Sequence, residues 1–129
     1  MKRALALVAF LSLSAAALLA QDPVQVDARH YKVEFENADV RVLRIHYGPH
    51  EKSPMHYHPK SVATFLTDAN GQFHMPDGST VPMNAKAGST VWEAAGKHAP
   101  ENTGDQPLEL ILVELKHSSA AKPAAKPAD

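Results

Sequence analysis

The hydrophobic residues of this chain recur in short runs and not with a helical period. Between residues 24 and 116, no stretch of ten or more residues shows a convincing helical repeat. Segments rich in β-branched and aromatic residues instead alternate with turn signals such as Asn70-Gly71 and Asp77-Gly78. The pattern predicts eight strands, at residues 31–36, 40–47, 61–67, 71–75, 80–83, 89–92, 98–103 and 108–116. Eight short strands at this spacing favour an all-β protein, built as an antiparallel barrel or a double-sheet jelly roll.

The last predicted strand is apolar at most of its positions. Its sequence, LELILVEL, alternates only weakly, which is typical of a strand that is covered on both faces. The core would cover one face, and a second subunit would cover the other. A domain of this size is also stabilised by dimerisation or by a bound ion. We therefore expect a homodimer.

The first 20 residues differ from the rest of the chain. Lys2 and Arg3 precede an apolar run over residues 4–20 that ends in small side chains, as in a secretory signal peptide. The run is short for a membrane span and lacks the expected flanks. We expect cleavage near Ala20, a secreted or periplasmic protein, and no stable membrane insertion afterwards.

One small domain and a polar tail follow the signal peptide. Residues 117–129 repeat a Lys-Pro-Ala unit without any large apolar side chain, which predicts a disordered tail and a domain over residues 21–116. Without Lys2 and Arg3, the 13 basic and 14 acidic residues become 11 and 14, a net charge of −3. This charge does not suit nucleic acid. The chain contains no cysteine, so it has neither disulfides nor a lipid anchor attached through cysteine.

The sharpest chemical signal is the sequence His56-Tyr57-His58. Side chains two apart on a strand point to the same face, so the two imidazoles can converge on one ion while Tyr57 points away. Imidazole suits several transition metals, and the pair alone does not select one. The alternative is a pair of surface histidines beside Pro54 and Pro59.

A second motif lies forty residues further on and brings a third histidine. With the first motif it resembles the two-motif pattern of the cupin superfamily, across about 55 residues in the middle of the chain. The residues that carry the resemblance are Gly48, His56, His58, Gly88, His98 and Asn102.

The resemblance implies a cupin barrel whose two motifs lie on neighbouring strands. It also implies that His56, His58 and His98 bind one divalent transition metal, which is Fe, Mn, Zn, Ni or Cu. The chain departs from the family where a glutamate ligand usually follows the second histidine, because Val62 and Ala63 stand there. The usual proline before the second-motif glycine is absent too. Three histidines without the glutamate leave the full charge of the cation in the site.

Other polar residues are weaker candidates for the site. Asn102 shares the strand face of His98, so we expect it to orient a histidine ring. The side chains that could adjoin the metal or carry protons are His46, His50, His74 and Glu101. The residues expected to belong to the core are Phe65, Phe73, Trp92, Met55, Met75 and Met83.

Several functions are compatible with these features. An open metal site could serve a small-molecule metalloenzyme, such as a dioxygenase, isomerase or lyase. The alternatives are a non-catalytic small-molecule-binding barrel and a barrel that the ion merely stabilises. A convincing acid or base is missing from the motifs, so the sequence leaves enzymatic activity open.

Overall fold

A computed structural model describes residues 21–117. The predicted signal peptide and residues 118–129 of the predicted tail lie outside the described residues. Within 21–117, no helix is long and apolar enough to cross a membrane. The described elements are a short helix, α1 (Pro23–Val26), and the strands β1 (Tyr31–Glu36), β2 (Val40–Tyr47), β3 (His56–His58), β4 (Ser61–Phe65), β5 (Ala69–His74), β6 (Thr80–Ala85), β7 (Thr90–Glu93), β8 (Gly96–Asn102) and β9 (Leu108–Leu115).

The strands form two antiparallel sheets that face each other. One sheet has five strands in the order β1-β2-β9-β4-β7, and the other has four in the order β3-β8-β5-β6. Neighbours in the sheets are mostly distant in sequence, since β9 lies between β2 and β4. This architecture confirms the predicted all-β, double-sheet jelly roll.

The strand prediction missed one element of the described region. The histidine pair forms its own strand, β3, which was expected to be extended but was not counted among the eight. Pro54 and Pro59 flank β3 and limit its length, because proline cannot donate to a strand ladder. Other boundaries moved by a few residues, and β8 starts at Gly96 instead of His98.

The core lies between the two sheets, and most of its buried apolar side chains come from β2 and β9. Leu108, Leu110 and Leu112 are buried, and they alternate along β9 with half-buried residues. Leu43 and Ile45 lie directly opposite Leu112 and Leu110 on β2 and are also buried. The same alternation places the side chain of Glu114 on the inner face of β9.

The outer face of the five-stranded sheet carries an apolar row that crosses every strand. Successive register partners join its members, which we call the outer apolar row: Phe35, Val42, Val113, Val62 and Trp92. Trp92 is 58% exposed, so its expected place in the core is wrong. It lies on β7, an edge strand, where no element of the described chain covers it.

The residues before β1 pack against the strand that carries the histidine pair. Asp22 caps α1 by accepting a 2.8 Å hydrogen bond from the backbone N–H of Val24. The backbone N–H of Tyr57 donates to the carbonyl of Gln21 at 2.9 Å. The first described residues therefore act as an additional partner for β3.

Candidate metal centre

The fold brings the three predicted histidines together. His56 and His98 are register partners on the adjacent strands β3 and β8, and His58 lies two residues along β3 on the same face. One ring nitrogen from each residue falls within 4.8 Å of the other two. His56 and His58 are buried and His98 is half-buried. The two sequence motifs thus converge on one cluster.

The hydrogen bonds of His56 and His58 determine which of their ring nitrogens are free to bind a metal. Nδ1 of His56 donates to the carbonyl of Pro54 at 2.8 Å, because a carbonyl can only accept. Nδ1 of His58 lies 2.6 Å from a carboxylate oxygen of Glu114, so it too carries a proton. The Nε2 atoms of His56 and His58 then lie 3.0 Å apart, close enough to share one proton or one metal ion.

Protonation of His56 and of His98 is unfavourable in this cluster. Burial, followed by the charge of His58, lowers the pKa of His56 to about 4. The same two causes, with a contribution from His56, lower the pKa of His98 to about 3. Both rings are therefore neutral at pH 7, the form that coordinates metals.

The donor set fits a transition metal. Imidazole nitrogens bind zinc at about 2.1 Å, and tetrahedral ligands at that length stand roughly 3.4 Å apart. Here one ring nitrogen from each histidine lies within 4.8 Å of the other two, and the Nε2 atoms of His56 and His58 are 3.0 Å apart. Three protein nitrogens leave further coordination positions for other ligands.

A buried ion pair between Glu114 and Arg41 holds the His58 ring through its Nδ1 atom. Glu114 is 2% exposed, and its second oxygen accepts a 2.6 Å hydrogen bond from Arg41. Arg41 also donates to Asp22 at 2.6 Å. Burial opposes ionisation of Glu114, but hydrogen bonds from His58 and Arg41 keep its pKa below the usual value. The carboxylate therefore orients the His58 ring and raises the basicity of its free nitrogen.

A cavity of about 430 Å³ opens beside the histidines. His58 and His98 line it, so a small molecule in the cavity can approach an ion held by those rings. Much of the wall is apolar, including Phe65 and Phe73. The ring of Phe73 stacks on His98 with centroids 4.5 Å apart and an interplanar angle of 4°. The volume is within the range of small-molecule sites.

A chain of buried hydroxyl groups lies along the same wall. Tyr31 and Tyr47, which line the cavity, have their hydroxyl oxygens 2.6 Å apart. The Tyr47 hydroxyl is 2.6 Å from that of Ser53, and Ser53 donates to Asp27. Burial raises the pKa of both tyrosines, so they stay protonated. Since Asp27 can only accept, the hydroxyl protons of the chain point towards it.

The weaker candidates lie away from the cluster. His46 is exposed on β2, and exposed His50 bonds Asp105 at 2.8 Å. His74 and Glu101 bond each other at 2.6 Å and do not line the cavity.

Two expectations about supporting side chains need correction. Asn102 is buried, but its amide donates to the carbonyls of Gly48 and Gln106 and not to a histidine. The histidines are oriented instead by Pro54 and Glu114. Among the methionines expected in the core, Met83 is buried, while Met55 is 38% exposed.

Sequence reasoning missed three polar residues around the cluster. Glu114, Ser61 and Glu93 occupy one register row across β9, β4 and β7 on the inner face of their sheet. A signal for Glu114 exists, since it shares strand parity with Leu108, Leu110 and Leu112. Ser61 and Glu93 give no comparable signal, because their inward placement depends on strands paired far apart in sequence.

Comparison with solved structures places this architecture in a known fold. A cupin domain from Bordetella pertussis is 21% identical, with a TM-score of 0.63 over 67% of this chain and 92% of that one. A double-stranded β-helix protein from Klebsiella pneumoniae is 24% identical, with a TM-score of 0.55 over 66% and 74%. The polyketide cyclase RemF from Streptomyces resistomycificus is 14% identical, with a TM-score of 0.51 over 67% and 64%.

These similarities show that the protein has the cupin fold, as the two motifs predicted. No protein-family model and no curated protein matches the chain by sequence. One fold supports many activities, so the function must be argued from the site.

Proposed function

We propose that this protein binds one divalent transition metal through His56, His58 and His98 and presents it to a small molecule in the adjoining cavity. The observation that carries the proposal is the 3.0 Å approach of two Nε2 atoms whose rings already use their Nδ1 protons elsewhere. A metal ion could use both of these nitrogens as ligands, with a nearby nitrogen of His98 as the third. Bound metal would act as a Lewis acid on oxygen groups of the ligand.

The cavity supports ligand binding in preference to a purely stabilising role for the ion. A structural metal site is usually closed by four protein ligands. Here the described residues offer three clustered nitrogens, and two of the three histidines line a cavity. The apolar walls would hold the body of the ligand, while the histidine side would hold its oxygen groups.

Metal content of the untagged protein tests this proposal. We expect about one transition metal ion per chain, with most of it lost in the His98→Ala variant. His46→Ala is the matched control, because His46 is an exposed histidine outside the cluster. Elemental analysis after dialysis gives the occupancy. Equal occupancy in His98→Ala and the parent would show that the three histidines do not share one ion.

A further inference from the structure

His30 is a buried histidine that belongs to neither sequence motif. Its side chain is 3% exposed, and its Nδ1 lies 2.6 Å from a carboxylate oxygen of Asp27. Burial opposes ionisation of Asp27, but hydrogen bonds from Ser53 and His30 keep its pKa below the usual value. Because an ionised carboxylate can only accept, Nδ1 carries a proton. The ring of Tyr47 stacks on the imidazole with centroids 4.3 Å apart. These contacts hold the ring in place and leave Nε2 as the atom whose protonation can change.

The Nε2 atom of His30 faces two groups of opposite charge. A carboxylate oxygen of Glu51 lies 3.0 Å away, and Nη2 of Arg29 lies 3.1 Å away. A protonated Nε2 can donate only to the carboxylate, whereas the lone pair of a neutral ring can accept only from the guanidinium. The same atom therefore has a different partner in each protonation state of the ring.

The other groups that face this ring keep their charge around neutral pH. Burial raises the pKa of Tyr47 above its usual value, so its hydroxyl stays protonated. A hydrogen bond from the Gly48 N–H, followed by one from the histidine ring, keeps the pKa of Glu51 below its usual value. Asp27 and Arg29 also stay charged. Among these contacting groups in the described part of the chain, only an imidazole ordinarily titrates between pH 5 and 8.

Glu51 closes the β2–β3 loop, which comprises residues 48–55. Its Oε2 accepts a 2.7 Å hydrogen bond from the backbone N–H of Gly48, and its carbonyl accepts one from the N–H of Asn102 at 2.9 Å. The carboxyl group packs closely on Gly48, where an added Cβ would lie 3.1 Å from Cδ of Glu51. A shift of this carboxylate would therefore break the hydrogen bond that closes the loop.

The β2–β3 loop leads directly into the strand that carries the histidine pair. Near its end, the N–H of Ser53 donates to the carbonyl of Pro100 at 3.0 Å. The carbonyl of Pro54 accepts the 2.8 Å hydrogen bond from Nδ1 of His56. The order of this loop therefore bears on the orientation of the His56 ring.

We propose that His30 is a pH-dependent latch on the β2–β3 loop. In the charged form of the ring, Nε2–H donates to Glu51 and the loop is held closed. When the ring loses this proton to solvent, its lone pair repels the Glu51 carboxylate and accepts from Arg29, and the hydrogen bond between Glu51 and Gly48 is lost. The loop is thus protected at low pH and loosens as the pH rises through the titration of the ring. The latch does not depend on the proposed metal site, since none of the contacts that form it involves a metal ligand.

Nuclear magnetic resonance of the nitrogen-15-labelled full chain between pH 5.5 and pH 9 tests the latch. The shifts of the ring nitrogens report the charge of His30. Amide hydrogen exchange at Gly48 and Ser53, divided by the unfolded-chain rate at each pH, reports protection of the loop. We expect the ring charge and the protection to change with the same midpoint, and the protection to fall by about tenfold as the ring becomes neutral.

Two substitutions beside the ring should move that midpoint in opposite directions. Arg29→Gln removes a positive charge, so the ring should keep its proton to a higher pH than in the parent. Glu51→Gln removes a negative charge, so the ring should lose its proton at a lower pH. Protection of Gly48 at pH 5.5 should also be weaker in Glu51→Gln, because a neutral amide is a weaker acceptor than a carboxylate.

The histidine of the loop itself provides the matched control. His50 is exposed and bonds Asp105, and asparagine tolerates its positive φ of 60°. His50→Asn should keep the midpoint and the protection change of the parent, whereas His30→Gln should abolish the pH dependence. A His30 ring that keeps one charge from pH 5.5 to pH 9, or that titrates while protection of the loop stays constant, would overturn the inference. So would a midpoint that neither Arg29→Gln nor Glu51→Gln moves.

Discussion

A carboxylate oxygen of Glu114 lies 2.6 Å from Nδ1 of His58, although β9 and β3 belong to different sheets. The contact crosses the core. It links His58, one of the proposed metal ligands, to Arg41, which donates to the other oxygen of the same carboxylate. Partners of this kind typically change metal affinity by about 10-fold to 100-fold. We expect Glu114→Gln to weaken zinc binding by about that factor, measured by competition with a chromophoric chelator.

The control for Glu114 lies on the same strand. Glu109→Gln removes a carboxylate from the outer face of β9, where it pairs with Arg44. Its zinc affinity should stay within about twofold of the parent. If Glu114→Gln folds and binds zinc as tightly as the parent, the carboxylate does not support the metal site.

The buried histidines should make the metal-free protein sensitive to mild acid. In the unfolded chain each titrates near pH 6.5, whereas the folded pKa is about 4 for His56 and about 3 for His98. Below pH 6.5 the unfolded state therefore binds more protons than the folded state. Stability is full above that pH and falls as the pH drops towards 4, by about 1.4 kcal/mol per pH unit for each histidine.

Urea unfolding of the metal-free protein at pH 7.5, 6 and 5 measures this slope. His98→Gln should show a shallower dependence, since it removes one of the two proton-linked groups. A parent protein whose free energy of unfolding is the same at pH 7.5 and pH 5 would contradict the depressed pKa values.

The predictable parts of this structure are those that depend on local sequence. The bounds of β1 and β2 agree with prediction, because Asn37-Ala38-Asp39 marks the turn between them; the Asn37 side chain accepts hydrogen bonds from the N–H groups of Asp39 and Val40. The histidine cluster was predicted because strand parity and the family resemblance both pointed to it. Pairings between distant strands were not predictable, since one sequence does not reveal their register. The inward placement of Ser61 and Glu93 depends on such pairings.

The core between β2 and β9 predicts one large stability effect. Leu43 is 0% exposed and lies opposite Leu112. Leu43→Ala should lower the free energy of unfolding by about 2–5 kcal/mol, through lost apolar burial and the cavity left behind. Denaturant titration measures the change. The outward-facing Val42→Ala is the control, and an equal loss in both variants would contradict the assigned orientation of β2.

The outer apolar row predicts self-association. Phe35 and Trp92 are 53% and 58% exposed at its two ends. On this face Arg44 is paired with both Glu34 and Glu109, which reduces the charge that a second copy would meet. We expect two copies to pair through this face as a symmetric dimer.

Light scattering at micromolar concentration tests the dimer. The parent should have twice the chain mass, and Trp92→Lys should shift towards the monomer because it places a charge in the apolar row. Trp92→Phe, which keeps the face apolar, should behave as the parent does. A monomeric parent protein would contradict dimerisation through the outer apolar row.

The contact between the Gln21 carbonyl and the Tyr57 N–H has a practical consequence for purification. Gln21 and Asp22 sit at the back of β3, and Asp22 reaches His58 through Arg41 and Glu114. An affinity tag fused directly before Gln21 would crowd the residues that support the histidine pair. The end of β9 leads to exposed Lys116 and His117, where a fusion would avoid this contact. A streptavidin-binding peptide suits that end better than polyhistidine, which would compete for the ions under study.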